Sequence, residues 1–191
     1  MLTDKAPRQA EMKEEYLRSD DLRSILLPPV EPLRTLSGQL EQALKSENKT
    51  DIRRISNQIA RSFSQSVGIP APPVSILGAR PLEVTETSQA ELFGDYDFES
   101  AKIRLWMRTA VHKRTTSFGT FLSTLCHELC HHWDVVGLEL PNTYHTRGFY
   151  ERAGLLYHHM RGTPIRPLVW DELRGGLYSI NWPKTMQGAR R

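Results

Sequence analysis

Apolar residues recur along the chain with two different periods, and the change of period divides it. Leu33, Leu36, Leu40 and Leu44 fall three or four apart, the spacing of one helix face. A break at residues 48–51 is rich in N-cap types. Ile52, Ile55, Ile59, Phe63 and Val67 then mark a second amphipathic helix, ended by Gly68 and Pro70. Residues 1–30 are polar with some helical pattern, and read as an arm closed by Pro28 and Pro29.

Beyond Pro70 the punctuation changes. Val74-Ser75-Ile76-Leu77 is a short apolar run between Pro73 and Gly78, and reads as a strand. Leu82-Glu83-Val84-Thr85 alternates and reads as another, as does Ile103-Arg104-Leu105-Trp106-Met107. The helical period then returns. Phe118, Phe121, Leu122, Leu125, Leu129, Trp133 and Val136 predict a helix over 117–136, with Ser117 as N-cap and Gly137 just past its end. Phe149, Ala153, Leu156 and Met160 predict a last helix over 147–160, broken by Pro164 and Pro167. The tail from Trp170 carries no pattern that we could assign. This order predicts an α+β fold. Helices fill 1–67, and a core over 68–162 sets the 117–136 helix on a small twisted sheet of three or four strands. A tail occupies 163–191.

Composition narrows the function classes. The 191 residues include 25 Lys+Arg and 22 Asp+Glu, a formal charge of +3, which does not by itself imply nucleic-acid binding. Two cysteines cannot build a disulfide framework or a four-cysteine zinc ribbon. No apolar run approaches the ~20 residues that cross a bilayer, and the polar N-terminus lacks a secretory h-region. A soluble, cytoplasmic monomer with no membrane role is the expectation. The sequon Asn48-Lys49-Thr50 then has no glycosylation to receive. Charge is unevenly spread. Glu83, Glu86, Glu91, Asp95, Asp97 and Glu99 precede Lys102, Arg104, Arg108, Lys113 and Arg114, and the tail carries further bases up to Arg190 and Arg191. These read as solvated faces or as a side facing DNA or another anion.

Histidine is more uneven still, with six of the seven between His127 and His159. Within the 117–136 helix stands His127-Glu128-Leu129-Cys130-His131, an H-E-x-x-H motif. Positions i and i+4 differ by only ~40° around a helix, so both imidazoles project from one face and can reach one zinc ion. Glu128 falls beside that ion, placed to act on water rather than to ligate. A catalytic zinc needs a third protein ligand. His132 points ~100° away from His131, and Asp134 suits a partner for an imidazole N–H. His145, beyond the Gly137 turn, is favoured, and Glu151 is the alternative, as in gluzincin peptidases.

The stretch from Thr124 through His127-Glu128-Leu129-Cys130-His131-His132-Trp133-Asp134, followed by His145-Thr146-Arg147-Gly148-Phe149, resembles the SprT-like (Spartan-type) metallopeptidase domain. Gly94-Asp95-Tyr96 ahead of Ile103-Arg104-Leu105 resembles that family's paired strands. The resemblance covers roughly residues 68–162. It implies a zincin-like fold, one catalytic Zn2+ held by His127, His131 and His145, and Glu128 as catalytic base. It implies an endopeptidase acting on proteins or peptides, and through the family's link to DNA–protein crosslink repair, on proteins attached to DNA. Two features depart from the family pattern. The glycine usually next to the third histidine stands at Gly148, and the zinc ribbon of many members is missing.

Several residues near the motif have a structural and a functional reading. Tyr144, His132, Arg147 and Tyr150 are candidates for a second oxyanion donor. The strand at 103–107 is either an ordinary sheet strand or an edge to which substrate adds. Cys126 and Cys130 read as packing residues, His158 and His159 as helix-end residues, and Trp106, Trp133, Trp170 and Trp182 as core or rim aromatics. Two rival functions remain: a non-proteolytic, zinc-containing module binding nucleic acid or protein, and a gluzincin hydrolase using Glu151.

Overall fold

The computed structural model describes residues 1–84 and 89–187. Thr85 of the second predicted strand, Glu86 of the acidic stretch, and Arg190 and Arg191 of the basic tail lie outside the described residues. The fold is α+β. Three helices lead: α1 (Ala10–Asp21), α2 (Val30–Lys45) and α3 (Lys49–Val67). Asn48 caps α3 by accepting from the Asp51 N–H, and Gly68 closes it at φ 72°, the left-handed conformation that glycine adopts at no steric cost. The N-terminal stretch is more than a polar arm, because α1 buries Tyr16, Ser19 and Asp20.

The sheet that follows has three strands in the order β1 (Val74–Ala79), β5 (Lys102–Arg108), β4 (Gly94–Asp97). β1 runs parallel to β5, with Val74 opposite Ile103, and β4 runs antiparallel to it, with Gly94 opposite Leu105. The predicted strand at 103–107 is therefore β5, at the centre of the sheet. Both of its edges are already paired, so it cannot receive a substrate strand, and β4 is the outer strand beside the helix bearing the motif. The strand begun at Leu82 is β2 (Leu82–Val84), which pairs only with β3 (Gln89–Glu91) in a hairpin of its own.

The antiparallel register also resolves the charge pattern. Asp95 of the acidic stretch faces Arg104 of the basic one, and the guanidinium donates to both carboxylate oxygens at 2.8 and 2.6 Å. Arg108 likewise pairs with Glu47. Two of the five bases between 102 and 114 are thereby committed within the fold.

Helix α4 (Phe118–Val136) packs on β4 and β5, and α5 (Arg147–Arg161) packs on α4. Ser117 caps α4, as its position predicts, by accepting from the Thr120 N–H. Gly137 ends α4 with φ −100°, in the right-handed region, so its φ is open to any residue. What requires a glycine there is proximity, since a Cβ would lie 2.5 Å from the Trp133 indole. One core joins Leu33, Leu40, Ile52, Ile59 and Phe63 of α2 and α3 to Ile103 and Leu105 of β5, Leu122 and Leu125 of α4, and Phe149 and Leu156 of α5. The tail is structured too. β6 (Trp170–Leu173) and β7 (Leu177–Ile180) form a hairpin turned by Gly175 and Gly176, both at positive φ, and α6 (Trp182–Gln187) follows. Residues 1–4 lie along β7: Leu2 bridges Ser179, and the Thr3 N–H donates to the Tyr178 carbonyl. None of the helices is long and apolar enough to cross a membrane, among the described residues.

The start of α5 meets the end of α1 at Gly148. A Cβ there would sit 2.2, 2.7 and 2.8 Å from the carbonyl oxygens of Ser19, Asp20 and Leu22. Backbone on both sides leaves nothing flexible to yield. Gly148→Ala is accordingly expected to lower unfolding free energy by ~1–3 kcal/mol in denaturant titration, the usual range for an overpacked core.

Candidate metal centre

The H-E-x-x-H helix brings His127 and His131 to one face, one turn apart, and the loop before α5 returns His145 to the same place. His127 Nε2 lies 3.0 Å from His131 Nε2 and 3.1 Å from His145 Nε2. Two ligands of a tetrahedral ion at ~2.0–2.1 Å sit roughly 3.3–3.4 Å apart, so a slight opening of the trio admits one. Among the described residues, these three form the group of histidine, cysteine or carboxylate side chains that could hold a metal ion.

The surrounding contacts fix which ring nitrogen faces inward. The Thr143 hydroxyl donates to Asp134 Oδ2 at 3.3 Å and lies 2.8 Å from His131 Nδ1. A hydroxyl has one proton. Having given it to the carboxylate, Thr143 accepts from His131 Nδ1–H, and Nε2 keeps its lone pair for a metal. Thr143 holds this position with φ 37°, a left-handed conformation that a β-branched residue adopts at a cost of order 1–3 kcal/mol. His145 is oriented from the far end of the chain. Its backbone N–H donates to Asp4 Oδ2 at 2.8 Å, and the same oxygen stands 3.4 Å from Nδ1. The side-chain contact to His145 holds the Asp4 carboxyl below its ordinary range. Asp134 thus serves an imidazole N–H as its position predicts, but through Thr143, and Asp4 does so from a stretch that the sequence pattern left without a role.

Asp134 is in turn held by Arg152, whose Nη2 donates to both carboxylate oxygens at 2.7 and 2.9 Å; both side chains are 0% exposed. Burial pushes the Asp134 carboxyl up, against the pull of the Arg152 guanidinium. Arg152 also donates to the Ser19 carbonyl at 2.9 Å and to that of Leu22, tying the end of α1 to the site. The sequence pattern gave no sign of Thr143, and the one signal for Arg152 was an arginine at the inward spacing of α5, one residue before Ala153.

Burial, and then the neighbouring His145, pushes His127 down to about 3; burial, and then His127, pushes His131 down to about 2. Both rings are therefore neutral at pH 7, the form that ligates metal. Glu128, also buried, has its carboxyl pushed up to about 8 by desolvation and then by the charge of Asp95. His132 faces elsewhere, with Nδ1 3.1 Å from the Tyr96 hydroxyl and Nε2 2.8 Å from the Pro70 carbonyl. Glu151 is away from the trio, accepting from Arg23 at 2.7 Å and from Trp170 Nε1 at 3.1 Å. Cys126 and Cys130 are fully buried free thiols, both pushed up by desolvation, which is the environment of packing residues. His158 and His159 contact the Thr163 hydroxyl and the Pro28 carbonyl.

A cleft of about 870 Å³ opens beside the trio, and His127 and Glu128 lie in its wall. Of the four candidate oxyanion donors, Tyr150 alone lines it. Its hydroxyl donates to the Leu2 carbonyl at 3.1 Å, and burial pushes the phenol up to about 12, so it keeps its proton. Arg147 is bound to Asp20, and Tyr144 packs on Tyr16. Leu92, Phe93 and Gly94 bring the start of β4 to the cleft mouth. Gly94 is required there, since a Cβ would meet Thr124 Cγ2 of α4 at 2.5 Å. No family model, curated protein or solved structure matches this chain.

Metal analysis after dialysis is expected to find one ion per chain in the native protein and in Glu151→Ala, and none in His145→Ala. The reverse pattern would assign the third ligand to Glu151. Asp4→Asn keeps size and removes charge; it should weaken metal binding by about tenfold in a competition titration, the lower end of what partners of ligating histidines contribute.

Proposed function

We propose that the chain is a zinc-dependent endopeptidase with a zincin-like core of the SprT-like kind, acting on proteins or peptides. The observation that carries this reading is a buried glutamate next to a convergent trio of histidines, at the wall of an open cleft. Three imidazoles suit zinc, a borderline-soft ion, and leave a fourth position for substrate. Zinc bound there supplies Lewis acidity and a water that is nucleophilic at neutral pH.

The chain's own groups do the rest. With zinc held by the trio, Glu128 would keep its carboxylate rather than the neutral acid that burial and the charge of Asp95 promote. The carboxylate takes the proton of the attacking water and returns it to the leaving amine. Tyr150, still protonated, offers its hydroxyl to the carbonyl oxygen as charge develops there, exchanging its bond to Leu2. The outer edge of β4 at the cleft mouth is where an extended peptide adds by main-chain hydrogen bonds. The link to proteins attached to DNA rests on the family resemblance and on the bases that remain near β5 and the tail.

Glu128→Gln is the decisive variant. It should retain zinc and lose ~10²–10⁴-fold in hydrolysis of a DNA-binding protein, measured with and without single-stranded DNA. Equal cleavage by both proteins would remove the peptidase reading. A native protein that binds zinc and never cleaves would leave the binding module as the function.

A further inference from the structure

The cleft extends beyond His127 and Glu128, and part of its wall comes from residues 163–187, which the family resemblance does not cover. One wall is α5, through Ala153, Gly154 and Tyr157; the other is residues 163–187, through Leu168, Trp182 and Met186. Met1 closes one end, brought there by the pairing of residues 1–3 with β7.

Two observations characterise this space. Met1, Leu92, Phe93, Trp182 and Met186 are among the large apolar side chains left exposed, between 37% and 60%, and all five border this cleft. Apolar exposure gathered on one concavity marks a binding surface. Second, Gly154 stands within a helix, where glycine costs ~1 kcal/mol relative to alanine, and a Cβ built on it meets nothing within 4 Å. Packing thus gives no reason for glycine at this place, while the cleft beyond it is open.

We infer that this cleft receives a large apolar side chain, aliphatic or aromatic, of the peptide substrate next to the bond that is cut, and that Gly154 sets its depth. The inference rests on the peptidase reading, because it places the side chain by reference to His127 and Glu128 in the same cleft. The volume of about 870 Å³ lies within the ~300–1,000 Å³ of small-ligand pockets, so a side chain and flanking backbone fit together. The occupant is a peptide because one cleft is lined both by the start of β4, an outer strand to which an extended main chain can add, and by apolar walls that suit a side chain.

The test compares peptides that differ only at the residues flanking the cleaved bond, Phe or Leu against Gly or Asp, on zinc-loaded protein. The native protein should favour Phe over Gly at least about tenfold in kcat/KM. Gly154→Leu should lower that ratio at least about tenfold with unchanged zinc content. Ala153→Leu serves as a second variant should Gly154→Leu not fold, and Gly154→Ala, expected to raise Tm, reports on the helix. Absence of a preference, or an equal loss on all peptides, overturns the inference.

A binding arm separates this outcome from failure of the peptidase reading. The blocked peptides are titrated onto zinc-loaded Glu128→Gln protein. If the native protein hydrolyses nothing, yet the Phe peptide binds at least about tenfold tighter than the Gly peptide and loses that advantage in Gly154→Leu, the pocket stands and the peptidase does not. Equal binding of both peptides overturns the pocket. So does decanoate competing as well as the Phe peptide, which would assign the cleft to an acyl chain, or dimerisation abolished by Gly154→Leu, which would assign it to a second copy of the chain.

Discussion

The ion pair between Arg152 and Asp134 is the contact on which the site depends. Both side chains are wholly withdrawn from water, and a charge in that position needs a partner and hydrogen bonds in place of its hydration. The two Nη groups of Arg152 find them in the Asp134 carboxylate on one side and the backbone carbonyls of Ser19 and Leu22 on the other, while its Nε has no hydrogen-bond partner among the described residues. The pair thereby fixes the spacing of α1, α4 and α5 together. Asp134 spends its remaining capacity on Thr143, and Thr143 sets the tautomer of His131. A buried charge and the lone pair of His131 Nε2 are thus two ends of one chain of hydrogen bonds.

The third histidine is held by different means. His145 lies in a loop, where a side chain has more freedom than on a helix, and its orientation comes from Asp4. Asp4 is in turn positioned by the pairing of residues 1–3 with β7 and by its own backbone N–H, which donates to the His145 carbonyl. The N-terminal stretch and the tail, which have no pattern in common with the core, act jointly on one imidazole. They also supply the closing walls of the cleft, so ligand orientation and cleft shape depend on the same small unit of strand pairing.

The helices were legible because burial imposes a period on them. Ile52 to Val67 and Phe118 to Val136 each lay one apolar face on the core, and their caps at Asn48 and Ser117 act as local chemistry dictates. The pair His127 and His131 was legible because i and i+4 on a helix is a geometric statement about a shared face; His145 was favoured only over Glu151, from its place beyond the Gly137 turn and from the family resemblance, and the structure brings it to the pair. The order of strands was not legible: alternation in 103–107 is satisfied by a central strand as well as by an edge, and only the pairing with both β1 and β4 distinguishes them. The tail hairpin had a signal in Gly175-Gly176 between two short runs, but those runs are brief and mixed. Asp4, Thr143 and Arg152 were beyond reach for a different reason. Their roles arise from contacts across 141, 12 and 18 positions of sequence, and no local period encodes such a distance.

That separation bears on how the molecule comes into being. The bond from Asp4 to the His145 backbone and the pairing of Thr3 with Tyr178 join segments more than a hundred positions apart in sequence. Contacts of such long range must overcome the largest loop-closure entropy and form late in folding. During synthesis, the strand that holds Asp4 waits unpaired until residues near 178 have left the ribosome. The helix carrying His127 and His131 can be in place by then, but the third imidazole is still without its anchor. A chain built in this way withholds an assembled centre from its surroundings until residues near 178 are in place.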